Sequence, residues 1–254
     1  MPDKTQGRLA GKVAMITGAA NNIAREAAVM MAEEGADLAI CTLQSEEGLT
    51  ETARLVEAEG GRCFHRLMDV RKEDQVRGFV ADAGAELGRL DILVNSAAVR
   101  RHYPFAEMTL ERWRDAHQVI LEGSFLCAHA AVPHMIQAGG GAIVNMGGIS
   151  AHQGHIERCQ VTAAKAGLVG FTKGLAVELA SHQIRVNCVV PGTINTEKGT
   201  SRDKRIPHPS GGKPIWGREG RAEEPASMIR YLCLPEASYV TGQTIHVNGG
   251  YYLP

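Results

Sequence analysis

Neither sign of charge is in excess in this chain. Its 27 Lys and Arg meet 28 Asp and Glu, for a formal net charge of −1 and a pI near 6.8. No global field therefore draws it to nucleic acid or to a membrane surface. The six cysteines, Cys41, Cys63, Cys127, Cys159, Cys188 and Cys233, have no paired spacing. That argues against a zinc or disulfide framework, so no metal site is expected, and most of the thiols sit in apolar runs as small buried groups. Residues 1–8 carry no apolar signal region, and no uninterrupted apolar stretch is expected to span a bilayer. Cytoplasmic residence is the expectation that follows. Linkers, internal repeats and low-complexity segments are also missing.

What the chain has is a short apolar run followed by a helical pattern, repeated almost end to end. With 254 residues, 44% hydrophobic and 22% charged, it can bury one large core. Runs at 13–17, 37–42, 91–95, 142–146, 184–190 and 244–247 read as strands buried on both faces. Helical patterns fill 23–34, 46–59, 73–87, 110–136 and 161–179. Strand, crossover helix and parallel strand, repeated, predict an α/β fold: one doubly wound, Rossmann-like parallel sheet with helices on both faces, spanning 1–254. The irregular stretch 197–221 holds seven Lys and Arg against three Asp and Glu. It reads as a basic lid over a substrate, with a merely solvated loop as the competing view.

In such a sheet ligands bind at the carboxyl ends of the strands, where strand order reverses. The first strand ends in Thr17-Gly-Ala-Ala-Asn-Asn-Ile-Ala-Arg25. Gly18 permits a tight turn, and the helix start beyond it offers free backbone N–H groups to a pyrophosphate. By itself this is only a strand–turn–helix corner.

Later segments add to it. Asp69-Val70, Asn95-Ser-Ala-Ala98, Lys165-Ala-Gly167, Arg185-Val-Asn187, Pro191-Gly192 and Thr241-Gly-Gln-Thr-Ile-His-Val-Asn-Gly-Gly250 follow in order. Together they resemble the short-chain dehydrogenase/reductase family over nearly the whole chain. The resemblance implies a nicotinamide dinucleotide held by Gly18, Asn21, Asn22, Ile23 and Thr42, by Asp69, Val70, Asn95, Ser96 and Ala97, and by Lys165, Pro191, Gly192, Ile194 and Thr196. Two of the family's glycines are replaced by Asn22 and Ala24. Asn tolerates left-handed backbone next best after Gly, and Ala adds one methyl, so binding should be re-aimed rather than lost. At the end of the second strand stand Thr42 and Leu43. No carboxylate there repels a 2′-phosphate, so NADP is favoured slightly over NAD.

The family's chemistry, as the resemblance implies it, rests on a Tyr four residues before the Lys, a Ser thirteen further back and an Asn on the preceding long helix. Here those positions hold Val161, Gly148 and Ile120, and only Lys165 remains. Val161 and Lys165 share a helix face one turn apart, as a Tyr–Lys pair would. A general acid is worth about 10²–10⁴ in rate and an alkoxide donor about 10²–10³. Ordinary alcohol–ketone interconversion should therefore be very poor. Ser150, His155 and Arg158 lie between the fifth strand and the Lys165 helix, and Arg100, Arg101, His102 and Tyr103 follow the fourth strand. They read either as a substitute proton relay or anion clamp, or as solvated loop. His117, His129 and His134 read as packing or surface residues.

The leading expectation is a nicotinamide-dependent oxidoreductase with a rebuilt proton path, acting on a small substrate that an anionic group would suit. The dienoyl-CoA reductases resemble it in lacking the Tyr. A non-redox enzyme (lyase, isomerase or hydrolase) and a catalytically inactive nucleotide-binding regulator stay open beside it. Small apolar residues on the two long helices, Ala128, Ala130, Ala131, Ala163, Ala166 and Gly170, resemble those the family pairs across a two-fold axis, which implies a homo-oligomer, a tetramer.

Overall fold

The computed structural model describes residues 7–196 and 214–254. In chain order the main elements are β1 (Val13–Thr17), α1 (Asn22–Glu33), β2 (Asp37–Thr42), α2 (Glu46–Ala58), β3 (Cys63–Leu67), α3 (Glu73–Leu87) and β4 (Ile92–Asn95). There follow α4 (Leu110–His117), α5 (Gly123–Gln137), β5 (Gly141–Met146), α6 (Ser150–Gln153), α7 (Cys159–Glu178) and β6 (Ile184–Pro191). The chain closes with β7 (Ile194–Asn195), β8 (Gly220–Arg221), α8 (Glu223–Cys233) and β9 (Thr244–Val247). Seven strands make one sheet in the order β3-β2-β1-β4-β5-β6-β9, each neighbouring pair parallel. The order reverses between β1 and β4, as in a doubly wound Rossmann-like sheet.

Strand alternation divides the core between the two faces. Ala14, Ile16, Leu38, Ile40 and Val94 pack with Ala28 of α1, Val56 of α2 and Ile229 of α8. Met15, Ala39, Leu93, Ile143 and Val186 point the other way, onto Phe79 of α3, Ala131 of α5 and Ala176 of α7.

All six expected strands lie within a residue of their expected ends, and a seventh, β3, is added. Its residues Cys-Phe-His-Arg-Leu give no apolar run, because it is an edge strand whose last three side chains are exposed. Helix α8 is also additional, although its buried Ala226, Ile229, Leu232 and Cys233 keep helical spacing. Of the expected lid, 197–213 lie outside the described residues. The remainder turns back so that Trp216 N–H donates to Gly249 O (3.1 Å) and β8 pairs with β7.

The expected long helix is α4 and α5 joined by a π turn over Gln118–Glu122. One expectation is corrected here. Leu110–Gln137 is long and apolar enough, by length and composition, to cross a membrane, with a mean hydropathy of 1.4 in its best window. It packs instead on the sheet and on α3, burying Cys127, Ala128, Ala131 and Met135. Ala128 and Ala131 are thus core residues rather than interface residues, while Ala166 and Gly170 are exposed.

Buried polar groups tie both ends of the sheet. At the amino end the Asp91 carboxylate accepts from Val13 N–H (3.0 Å), Lys12 (2.9 Å) and Arg89 (2.6 Å). At the carboxyl end the hydroxyl of buried Thr17 accepts from the N–H groups of Ser96 (3.0 Å) and Ala97 (3.1 Å), clipping the exit of β4 to the end of β1. Thr17→Val keeps the shape and removes the acceptor. We expect the unfolding free energy to fall by roughly 1–3 kcal/mol with the denaturant slope unchanged, as measured by urea titration.

Candidate active site

A cleft of about 530 Å³ opens over the carboxyl ends of β1, β2, β4, β5 and β6. Such a volume is ordinary for a cofactor and a small substrate. Its first wall is the turn after β1. Gly18 has φ +71, and a Cβ there would stand 3.1 Å from the Cα and N of Ala97, so only glycine fits between the two strand ends. Asn21 is extended, Asn22 takes a left-handed φ of +54, and α1 begins without a side-chain cap. The N–H groups of its first turn, at Asn22 and Ile23, are left to the cleft, where a pyrophosphate would sit. Ala24 is buried in the core beneath, so the extra methyl is accommodated. The backbone and the donors present fit a dinucleotide.

Thr42, Leu43, Gln44 and Ser45 line the next part of the cleft; the sequence pattern points to only the first two. None of the four is charged. The Arg25 N–H groups are committed inward to Thr52 Oγ1 (2.9 Å), Gly48 O (3.0 Å) and Ala20 O. Asp69 and Val70 line the far wall. Arg71 grips the Asp69 carboxylate (2.7 Å) and reaches Asp115 of α4 (3.1 Å). Its guanidinium holds the Asp69 carboxyl below the usual carboxylate range. Ser96, Ala97, Pro191, Gly192 and Thr196 also line the cleft.

Asn95 and Ile194 do not. Asn95 lies beneath the floor, donating to Asn145 Oδ1 (2.9 Å), and Asn145 donates in turn to Thr172 Oγ1 (2.9 Å). That chain of side chains joins β4, β5 and α7.

At the far end of the cleft, Lys165 is buried and its Nζ donates to Met146 O at the end of β5. Among the described residues no ion pair includes Lys165. Burial, assisted by the positive charge of Arg100, pushes its ammonium down to about 8. One turn earlier Val161 is buried, and it shares an apolar cluster with Ala116, Ile120, Ala164 and Leu168. Ile120 sits in the π turn, where Gly123 N–H reaches back to Gln118 O. Gly123 is itself required there, since a Cβ would come within 2.8 Å of Val70 Cγ2. Gly148 faces Lys165 with room to spare: a Cβ there would meet Lys165 Cγ and Ser150 Oγ at 3.8 Å.

Two loops form the rim. Tyr103 N–H donates to Glu157 O (2.8 Å), Gln160 Nε2 donates to Arg101 O (2.9 Å), and Arg158 bonds to Nε2 of His102. An arginine can only donate, so Nε2 of His102 is the acceptor in this contact. His155 packs edge-on against His102, with ring centroids 5.6 Å apart. Arg100, Arg101, Ser150, His155 and Arg158 all line the cleft, so the structure brings the two sequence clusters together. His152 does not line it; its ring meets His246 edge-on (centroids 4.5 Å apart) and is tilted against Tyr252 (5.5 Å). His117 stacks on Trp113, His129 stacks on Phe125, and His134 neighbours Gly84.

A family model described as enoyl-(acyl carrier protein) reductase matches residues 18–252. A 3-oxoacyl-[acyl-carrier-protein] reductase of Staphylococcus aureus is 33% identical over 242 residues, covering 95% of this chain and 98% of its own. Among solved structures, a short chain dehydrogenase of Mycobacterium paratuberculosis bound to NAD superposes with a TM-score of 0.91 at 32% identity, covering 96% of this chain and 99% of that one. A blue fluorescent protein from a metagenomic library, in complex with NADPH, gives 0.88 at 30% identity, covering 97% and 100%. The chain belongs to the short-chain dehydrogenase/reductase family of oxidoreductases.

Lys165 has a measurable signature of its own. Its folded pKa lies below the unfolded value, so the unfolded chain binds more protons between about 8 and 10.5, and stability rises with pH across that window. Lys165→Met removes the buried charge. We expect it to stabilise the fold by roughly 1–3 kcal/mol at pH 7, with the advantage fading as the pH approaches 10.5. Urea unfolding of both proteins at several pH values measures it.

Proposed function

We infer that this chain is an NAD(P)-dependent oxidoreductase that moves a hydride to or from a small substrate without a tyrosine proton donor. The observation that carries this reading is the apolar packing of Val161 and Ile120 beside buried Lys165 in a cleft shaped for a dinucleotide. Gly18, Asn21, Asn22, Ile23, Thr42, Asp69, Val70, Ser96, Ala97, Lys165, Pro191, Gly192 and Thr196 would hold the cofactor, which supplies the hydride chemistry. Asn95 acts from beneath, by fixing the floor.

Val161 can neither give nor take a proton, and Gly148 offers no hydroxyl. The reacting carbon must therefore be one whose charge develops elsewhere, as in a conjugated system, or whose proton comes through Ser150, His155 or the Arg158–His102 pair. The arginines of the rim suit a substrate carrying a carboxylate or phosphate. The wholly uncharged surround of Thr42 suits both cofactor forms. A fluorescence titration should show binding of NADPH at least as tight as that of NADH, and binding of neither at millimolar concentration would refute the reading.

Activity gives the sharper test. Wild type should reduce simple ketones and aldehydes negligibly. Gly148→Ser with Val161→Tyr should raise kcat/KM for them by about 10²-fold or more, provided the double variant folds and binds cofactor. Each change alone should do little, because donor and acid act as a unit. Efficient ketone reduction by wild type would overturn the assignment.

The exposed stripe of Phe125, Ala166, Gly170 and Val177 on α5 and α7 supports a homotetramer. Light scattering at micromolar concentration should give a multiple of 27.2 kDa.

A further inference from the structure

The reading above leaves Lys165 with only a positional task, yet its surroundings give it a second capability. Its amine is buried, is held by a backbone carbonyl and faces no carboxylate among the described residues. The stem passes Gly148, where no side chain covers it, and Val161 lines the same end of the cleft with methyl groups. A lysine so desolvated, in a cleft that also holds another cation, is placed as amine nucleophiles are in proteins. Arg100 is that second cation, and it lines the same cleft at the rim. A carbonyl compound bearing an anion could rest the anion on the rim and present its carbonyl to Nζ.

We propose that Lys165, when no cofactor covers it, is a covalent site for aldehydes and ketones that carry a carboxylate or phosphate, which it binds as an imine. In the step, the Nζ lone pair forms a bond to the carbonyl carbon. The oxygen takes one proton from Nζ and one from solvent and leaves as water, so a protonated imine remains. Nothing is oxidised or reduced, and hydrolysis returns both partners. With its ammonium pushed down to about 8, Lys165 holds on the order of a hundredfold more free amine at neutral pH than an exposed lysine. The proposal depends on where Lys165 lies and not on hydride transfer, so either can fail alone.

The test uses the full-length, cofactor-free protein with pyridoxal 5′-phosphate, an anionic aldehyde, followed by borohydride and peptide mapping by mass. The expected result is one adduct, on Lys165, forming faster from pH 7 to pH 9. Pyridoxal, which lacks the phosphate, should label about tenfold more slowly, the loss of one charge-assisted contact. Lys165→Arg, shown folded by circular dichroism, should take up no label. Label spread over Lys12, Lys72 and Lys173, or absence of label from Lys165, would overturn the proposal, as would a Lys165 rate indifferent to pH. Added NADPH should protect Lys165. If Lys165 labels without protection by NADPH, the cofactor reading fails and the imine proposal stands.

Discussion

The close approach of β1 and β4 is the constraint on which the rest depends. Parallel strands that end side by side leave a row of peptide groups without ladder partners, and these must be satisfied locally. Thr17 does this for Ser96 and Ala97 with one hydroxyl. Gly18 then lets the chain turn away at a point where a Cβ would stand 3.1 Å from Ala97. Because β1 and β4 are held together, the helices that follow them diverge to opposite faces, and the space between them becomes the cleft. The open N-terminus of α1 and the loop that carries Arg100 face each other across it for the same reason.

At the far end of the cleft, Ile120 and Val161 pack among apolar groups. A buried polar group stripped of its partner costs far more than a matched pair replaced by apolar groups of similar shape. Here Ile120 and Val161 share one cluster, so neither strands the other. The π turn that carries Ile120 leaves a defect of the sort often found at functional sites. Lys165 is the buried polar group beside them, and it is satisfied by Met146 O rather than by an acid. Its lowered basicity follows directly from that isolation.

The rim is built in the opposite way, from cations. Backbone bonds between Tyr103 and Glu157 and between Gln160 and Arg101 make two distant loops one body. Arg100, Arg101, His155 and Arg158 thus line the cleft near its rim, while Val161 lines it beside Lys165.

By itself the sequence determined the fold class, six of the seven sheet strands and the residues of the first turn. These are encoded in short-range patterns: buried runs, helical spacing, and the backbone freedom of Gly18 and Asn22. It also places Val161 one turn before Lys165, where the family resemblance implies a Tyr. The edge strand β3 was hidden, because a half-exposed strand has no apolar run, and α8 was passed over despite its spacing. Only the tertiary structure decided that Asn95 is a floor support, that His152 belongs with His246 and Tyr252, and that Arg158 meets His102. Those pairings join residues on different loops, and the distance between them is set by how the sheet twists and the helices pack, not by separation along the chain. The long helix makes the same point: its composition alone would suit a membrane, and only its packing against α3 and the sheet makes it the core of this domain.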